Sequence, residues 1–530
     1  MQQLHAPSEA AGWLHRHVTG SLHTDSRKVR PGDGFVAWPG AATDGRHHVA
    51  SAFKNGAVAC LVEEAGVSLF AFDSAAAVAS FPELKRAAGP IAAAYFNQPS
   101  HQLDIVAITG TNGKTSTAWW LAHALSYLEP TIQLACGLIG TLGVGKPDYA
   151  GDGLPFSFNV VANGLTTPDP VLLQQSFRDM ADDGLRACAV EASSIGIEEH
   201  RLDGTRIRTA VFTNFTQDHL DYHGSMHSYW QAKASLFEWP GLMSAVVNVD
   251  DAKGLTLAAT LSASQGARKA AGQALDVWTV SCTGPARLQA RDITYNGRGL
   301  QFSVVEGESR YELSTHLIGQ YNVSNLLCVI GAMRSLELPL VACVAACQTL
   351  LPVPGRMEFL GGQGQPLVAV DYAHTPDALA HALQALRPLA TVRGGQLCCV
   401  FGCGGDRDPI KRPLMGAMAA RHADKVIVTS DNPRSEKPQV IMSQILLGLA
   451  GFEPMVVQAD RALAIAQALA QAQANDVVLV AGKGHEDYQE TAGIKQPFSD
   501  RVQVGLALQG WNAPASPAPP AARPQPGAHA

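Results

Sequence analysis

The stretch Thr109-Gly110-Thr111-Asn112-Gly113-Lys114-Thr115-Ser116 has the residue types that handle a polyphosphate. Glycines let backbone N–H groups turn toward phosphate oxygens. Lys114 supplies a cation for the terminal phosphates, and the Thr115 hydroxyl is an oxygen of the kind Mg²⁺ takes. Ile108 stands where the first glycine of the longer G-x-x-x-x-G-K-[ST] pattern belongs, so the loop is a variant. A hard cation calls for a further oxygen ligand. Glu191, closing the apolar run Cys188-Ala189-Val190, is the carboxylate best placed to supply it. His219 lies in Asp218-His219-Leu220-Asp221-Tyr222-His223, a cluster dense in metal-capable side chains, and composition alone divides it evenly between ligand and surface residue. Arg407, Arg434 and Glu486 form a second group. A guanidinium grips a carboxylate in a two-pronged fork and a carboxylate holds an ammonium, so together they suit an amino acid zwitterion. Lys233, a lone lysine on the apolar helix pattern Tyr229 to Phe237, reads as a surface lysine with a snorkelling head.

These residues need elements to hold them. The run Asp104-Ile105-Val106-Ala107-Ile108 predicts a buried strand before the loop, and Thr117 to Leu125 predicts a helix after it. That context puts phosphate at a helix N-terminus. Further apolar runs end in polar residues: Ala210-Val211-Phe212 before Thr213-Asn214, Ala245-Val246-Val247 before Asn248, and residues 367–370, 397–401, 426–428 and 477–480 before Asp371, Gly402, Thr429 and Ala481. In open parallel sheets ligands sit at the carboxyl ends of strands. Residues 286–315 alternate with turn signals and read as a small antiparallel patch. The fold class is therefore α/β in three domains: a small α/β domain over 1–102, a central phosphate-loop domain with a mostly parallel sheet over 103–352, and a Rossmann-like domain over 353–512. The Pro- and Ala-rich tail, 513–530, is expected to be disordered.

Composition bounds the rest. A chain of 530 residues exceeds one core. Its 46% hydrophobic and 16% charged residues are those of an ordinary globular protein, and a net charge of −7 gives no footprint for nucleic acid. No apolar run reaches transmembrane length and no signal peptide is evident, so a cytoplasmic protein without membrane insertion is expected. The ten cysteines are scattered without a C-x-x-C pair, which argues against structural zinc and a disulfide framework. Cys188, Cys328, Cys398 and Cys399 read as small buried hydrophobes, and Cys403, in a Gly-rich turn, as a packing residue.

Thr109 to Thr115, Glu191-Ala192-Ser193-Ser194, Asn322-Val323-Ser324-Asn325, Pro354-Gly355-Arg356-Met357-Glu358 and Asp371-Tyr372-Ala373-His374-Thr375-Pro376 together resemble the Mur ligases, ATP-dependent enzymes that build the peptide stem of bacterial peptidoglycan. Asp406-Arg407-Asp408, Asp431-Asn432-Pro433-Arg434 and Gly482-Lys483-Gly484-His485-Glu486 resemble the branch that adds the third stem residue, meso-diaminopimelate. The resemblance runs from about Thr24 to about Val504. It implies ATP on Gly110, Thr111, Asn112, Gly113, Lys114, Thr115 and Ser116, with Asn322, Arg356 and Asp371 also contacting nucleotide. It implies Mg²⁺ on Thr115, Glu191, His219 and Lys233, the lysine being carbamylated to N6-carboxylysine. Catalytic roles fall to Lys114, Lys233 and His219. UDP-MurNAc-L-Ala-D-Glu would lie on the 1–102 domain and on Ser26, Thr166, Thr167, Ser193 and Arg201. Diaminopimelate would lie on Arg407, Asp431, Asn432, Pro433, Arg434, Gly482 and Glu486. A monomer is expected. Ile195, Glu199, Leu165 and the Ala41-Ala42-Thr43 segment depart from the family pattern around the UDP substrate. A lysine-adding relative or a folylpolyglutamate-synthetase-like ligase is the alternative reading, and a non-enzymatic nucleotide-binding regulator a third.

Overall fold

A computed structural model describes residues 1–40, 43–132, 134–149, 157–295 and 299–513. Ala41, Ala42 and nearly all of the 513–530 tail lie outside the described residues. The chain divides into two compact units, Met1–Val353 and Pro354–Ala530.

The first unit holds two sheets. In the N-terminal one the strands run in the order Gln2–Gln3, Val78–Phe81, Ala59–Glu63, Gly34–Ala37 and Leu22–His23, all parallel. The larger sheet has a parallel heart in the order Asp276–Ser281, Ser244–Asn248, Thr209–Phe212, Asp104–Thr109, Ala187–Glu191 and Cys136–Gly140. Ile105 to Thr109 are buried without alternation, as a strand covered on both faces must be. Side chains of alternate sign feed two cores: Val106 and Ile108 join Ala118, Leu121 and Leu125 of the helix Lys114–Ile132, while Ile105 and Ala107 join Leu173, Phe177 and Ile197. Each Val, Leu, Ile or Phe side chain among them contributes about 1.5–3 kcal/mol on burial.

The antiparallel patch expected at 286–315 is present as Leu288–Tyr295, Leu300–Glu306 and Ser309–Ser314, but it does not stand apart. Leu288–Tyr295 pairs in parallel with Asp276–Ser281, so the patch continues the main sheet. On the other edge Gly143–Asp148 and Ser157–Val161 also add antiparallel strands.

The second unit carries the four expected strands, in the spatial order Leu367–Asp371, Val477–Ala481, Leu397–Phe401 and Lys425–Thr429, all parallel. Glu358–Gly361 adds an antiparallel edge and Val456–Gln458 a parallel one. A separate hairpin pairs Tyr488–Thr491 with Ile494–Pro497. Among the described residues no helix is long and apolar enough to cross a membrane. Cys188, Cys328, Cys398, Cys399 and Cys403 are all buried, and burial pushes the Cys403 thiol up to about 12, which suits its packing role.

Candidate active site

The phosphate-type loop is held open by its neighbours. Gly110 has φ +147° and a Cβ there would stand 1.9 Å from Thr213 Oγ1. Gly113 has φ +83° and a Cβ would stand 2.4 Å from Asn325 Oδ1. Glycine is therefore required at both positions on conformation and on space. The segment after Thr209–Phe212 grips the loop. Thr111 N donates to Asn214 O at 2.9 Å, Asn112 N to Asn214 Oδ1 at 2.8 Å, and Thr213 Oγ1 to Asn112 O at 2.6 Å. Lys114 Nζ, on the first turn of the helix, donates to Gly110 O and Thr111 O at 2.9 Å each.

Lys233 corrects the surface reading. It is 1% exposed, its Nζ donates to Gly110 O at 2.9 Å and lies 4.4 Å from the centre of the Tyr229 ring. Its helix, Met226–Ala234, turns that face inward against the loop, so the head cannot reach water. Burial, then the Lys114 charge, pushes its pKa well below the usual lysine range. His219 sits at φ +53°, 6.0 Å from the Tyr229 ring, with Asp218 at 3.4 Å. Burial outweighs the pull of Asp218 and holds the imidazole down to about 4, with Lys114 and Lys233 adding to the effect. A neutral ring keeps a lone pair for a cation.

Glu191 is 1% exposed and far from the bare strand-end carboxylate that sequence alone allows. Thr115 Oγ1 donates to its Oε2 at 3.0 Å, Thr141 Oγ1 donates to the same oxygen at 3.1 Å, and Thr141 N donates to Oε1 at 2.8 Å. Gly140, at the end of the neighbouring strand Cys136–Gly140, leaves the room: a Cβ there would stand 2.2 Å from Glu191 Oε1. Thr166, Thr167, Ser193 and Arg201 converge on the same place. Thr166 Oγ1 lies 3.1 Å from Thr141 Oγ1, Thr167 Oγ1 donates to Glu191 O at 2.7 Å, and Ser193 Oγ is 2.9 Å from Thr167 Oγ1. Arg201 Nη1 donates to Thr167 O at 2.9 Å. Ser26 opens a short turn capped by Asp25 in the N-terminal module, and Thr24 reaches the Asp169 carboxylate that caps helix Pro170–Asp182. Of the family departures, Leu165 is exposed, while Glu199 is tied to Lys85 at 2.7 Å and accepts from Tyr222 Oη at 2.5 Å.

The Thr115 hydroxyl and the Glu191 carboxylate are oxygen donors of the kind a hard cation takes. Among the described residues no three His, Cys, Asp or Glu side chains are grouped to hold a metal ion. A threonine hydroxyl that donates to a carboxylate can ligate through its oxygen, and the Thr115–Glu191 pair is of that kind.

In the second unit the strand ends build a distinct polar site. Lys483, which the sequence did not single out, is wholly buried, and its Nζ reaches Asn432 Oδ1 at 2.9 Å, Glu486 Oε2 at 3.1 Å and Asp431 Oδ1 at 3.5 Å. Asn432 Nδ2 donates to Glu486 Oε2 at 2.8 Å. Burial and the Asp431 charge hold the Glu486 carboxyl above its usual range. Asp431 is pushed up by burial but more strongly down by Lys483 and Arg461, and ends low. Gly482, at φ +120°, lets the chain pass Asp431, which a Cβ would meet at 2.6 Å. Beneath them Arg461 and Asp500, both buried, pair at 2.7 Å, and Arg461 also donates to Ser430 O and Ala481 O. Arg434, at φ +50° after Pro433, donates to Gly405 O at 2.8 Å and is fastened to the hairpin through Glu490 O. Arg407 is exposed on the preceding turn. Arg356 lies 4.2 Å over the Tyr372 ring, and Asp371 accepts from Met357 N and Ala373 N at 2.8 Å. Asn322 belongs to the first unit, where its Nδ2 donates to Ile318 O at 2.7 Å.

Comparison with known proteins bears on what this arrangement is. Residues 19–94 match the model of the Mur ligase family catalytic domain, 108–333 the Mur ligase middle domain, and 355–484 the Mur ligase glutamate ligase domain. The chain is 58% identical to the UDP-N-acetylmuramoyl-L-alanyl-D-glutamate–2,6-diaminopimelate ligase of Acidovorax sp. (strain JS42), over 94% of this chain and 96% of that one. It is 48% identical to the enzyme of the same name from Janthinobacterium sp. (strain Marseille), with the same coverages. A solved structure of a ligase of that name superposes with a TM-score of 0.59 at 34% identity, covering 92% of this chain and 94% of the other. With that agreement along nearly its full length, the chain belongs to the Mur ligase family.

Proposed function

We propose that this protein is an ATP-dependent ligase that joins meso-diaminopimelate to the D-glutamyl carboxylate of UDP-MurNAc-L-Ala-D-Glu, a step of peptidoglycan synthesis in the cytoplasm. The observation that carries the reading is the Glu191 hub, where Thr115 of the phosphate loop and the Thr141–Thr166 pair meet on one buried carboxylate. It sets a triphosphate-type loop beside a group of side chains suited to a second substrate.

The reaction follows from what these groups can do. The D-glutamyl carboxylate attacks the γ-phosphorus of ATP, ADP leaves, and an acyl phosphate remains. The diaminopimelate amine then attacks the acyl carbon, loses a proton, and expels inorganic phosphate to leave an amide. Gly110 to Ser116 bind the phosphates through backbone N–H groups, and Lys114 offsets charge on them as it shifts. Asn322 is a further nucleotide contact in the first unit. Thr115, Glu191, His219 and a carbamylated Lys233 would hold Mg²⁺, which when bound supplies positive charge against the phosphates. An amine must shed its proton before it attacks CO₂, and the buried setting of Lys233 favours that neutral form. Ser26, Thr166, Thr167, Ser193 and Arg201 bind the UDP-sugar-peptide. Arg407 and Arg434 take a carboxylate of diaminopimelate, and Asp431, Asn432 and Glu486 its distal ammonium, with Pro433 and Gly482 shaping the turns.

Phosphate release from ATP tests this directly. Release should require UDP-MurNAc-L-Ala-D-Glu and be completed by meso-diaminopimelate but not by lysine. Release with lysine in its place identifies the lysine-adding alternative, and release with neither sinks the ligase reading.

A further inference from the structure

Thr141 belongs to none of the motifs, yet its side chain joins Thr166 to the Glu191 carboxylate, while Thr167 reaches only the Glu191 backbone. It supplies two of the three donors that fix Glu191, one from its backbone and one from its hydroxyl. Its hydroxyl also lies 3.1 Å from that of Thr166. An ionised carboxylate only accepts, and a hydroxyl carries one proton. The Thr141 proton is spent on Glu191, so in its contact with Thr166 it must accept. The Thr166 proton is thereby spent on Thr141. Thr166 is half-buried, and its hydroxyl has only oxygen lone pairs left to offer a ligand. Thr167 beside it is buried and committed to Glu191 O and Ser193, so it cannot stand in for Thr166.

We infer that Thr166 and Thr141 form a directed two-hydroxyl relay that ties the sugar-peptide subsite to the Thr115–Glu191 pair, and that Thr166 selects a donor, a hydroxyl or amide N–H, on the substrate. The inference rests on the function proposed above. Thr166 binds the substrate, and Thr141, which acts through Glu191, is a positioning residue. A substrate donor on Thr166 polarises the chain of hydroxyls toward Glu191, and a nucleotide that engages Thr115 acts back along it. Such coupling is reciprocal: each ligand must tighten the other by the same factor. Gly140 gives the relay its room, since no side chain fits between the strand end and the carboxylate.

The test measures the affinity of the full-length protein for a non-hydrolysable ATP analogue with Mg²⁺, by calorimetry, with and without UDP-MurNAc-L-Ala-D-Glu. The wild type should show mutual tightening. Thr141→Val should cut that factor about tenfold, the effect of losing a hydrogen bond to a charged group, and Thr141→Ser should restore it. Thr166→Val should weaken the UDP-peptide about tenfold even in EDTA without nucleotide, a readout independent of metal and turnover. A purely structural role would lower the melting temperature and both affinities and leave their coupling unchanged. Wild-type coupling retained in Thr141→Val overturns the relay. UDP-peptide binding without coupling in the wild type overturns the relay and leaves the ligase reading standing. No UDP-peptide binding by the wild type overturns the reading itself.

Discussion

Lys233 and Arg434 are side chains whose chemistry depends on what surrounds them. A lysine pressed under the loop at Gly110, with no route to water, is poorly described by its own charge. If it is carbamylated, Lys233→Ala removes an anionic oxygen donor, and turnover should collapse while the fold persists. Partial recovery of phosphate release on adding acetate or formate is the expected result, and its absence at unchanged melting temperature counts against the carbamate. Arg434 is posed by its own left-handed backbone and by the hairpin behind it. Arg434→Lys keeps the charge and loses the fork, so the KM for diaminopimelate should rise about tenfold with little change in that for ATP. Steady-state kinetics with each substrate varied in turn decides it.

At the level of elements, the strand ends do the positioning, and small residues there are as specific as charged ones. Gly140→Ala puts a methyl group against the Glu191 carboxylate and should cost about 1–3 kcal/mol, read as a lower midpoint in denaturant together with lost turnover. Gly505, in the helix Asp500–Gln509 with open space around it, is the contrast: Gly505→Ala should stabilise by about 0.5–1 kcal/mol. The same elements explain what could be read from the sequence. Apolar runs such as Asp104–Ile108 and Val477–Val480 announce strands by composition, and the polar residues that follow them announce the sites. Lys233 reads as a surface residue because a lysine on an apolar helix looks the same whether its head meets water or a loop carbonyl; burial is a tertiary property. Thr141 carries no signal, being a neutral hydroxyl in a turn. Lys483 was visible within its motif, but its role depends on three acceptors, two of them some fifty residues distant. The edge strands Glu358–Gly361 and Val456–Gln458 are short and poorly patterned, so neighbouring strands define them more than their own residues do.

For the whole molecule, the residues proposed for UDP-MurNAc-L-Ala-D-Glu lie in Met1–Val353 and those proposed for diaminopimelate in Pro354–Ala530. Hydrogen–deuterium exchange should show it. UDP-MurNAc-L-Ala-D-Glu should slow exchange around residues 139–141, 166–169 and 193–196, and diaminopimelate around 404–406, 431–434 and 482–486. Diaminopimelate protection confined to the first unit would count against the pocket assigned here. The strand order of the main sheet has a consequence for synthesis. Asp104–Thr109 lies at its centre, but its partner Ala187–Glu191 leaves the ribosome roughly eighty residues later and Thr209–Phe212 later still. At about 5–20 residues per second, this central, largely apolar strand waits for several seconds with both edges unpaired. A nascent chain in that condition is a client for chaperones. Slowed translation between Thr109 and Thr209 should lower the soluble yield more than the same delay placed after Val353.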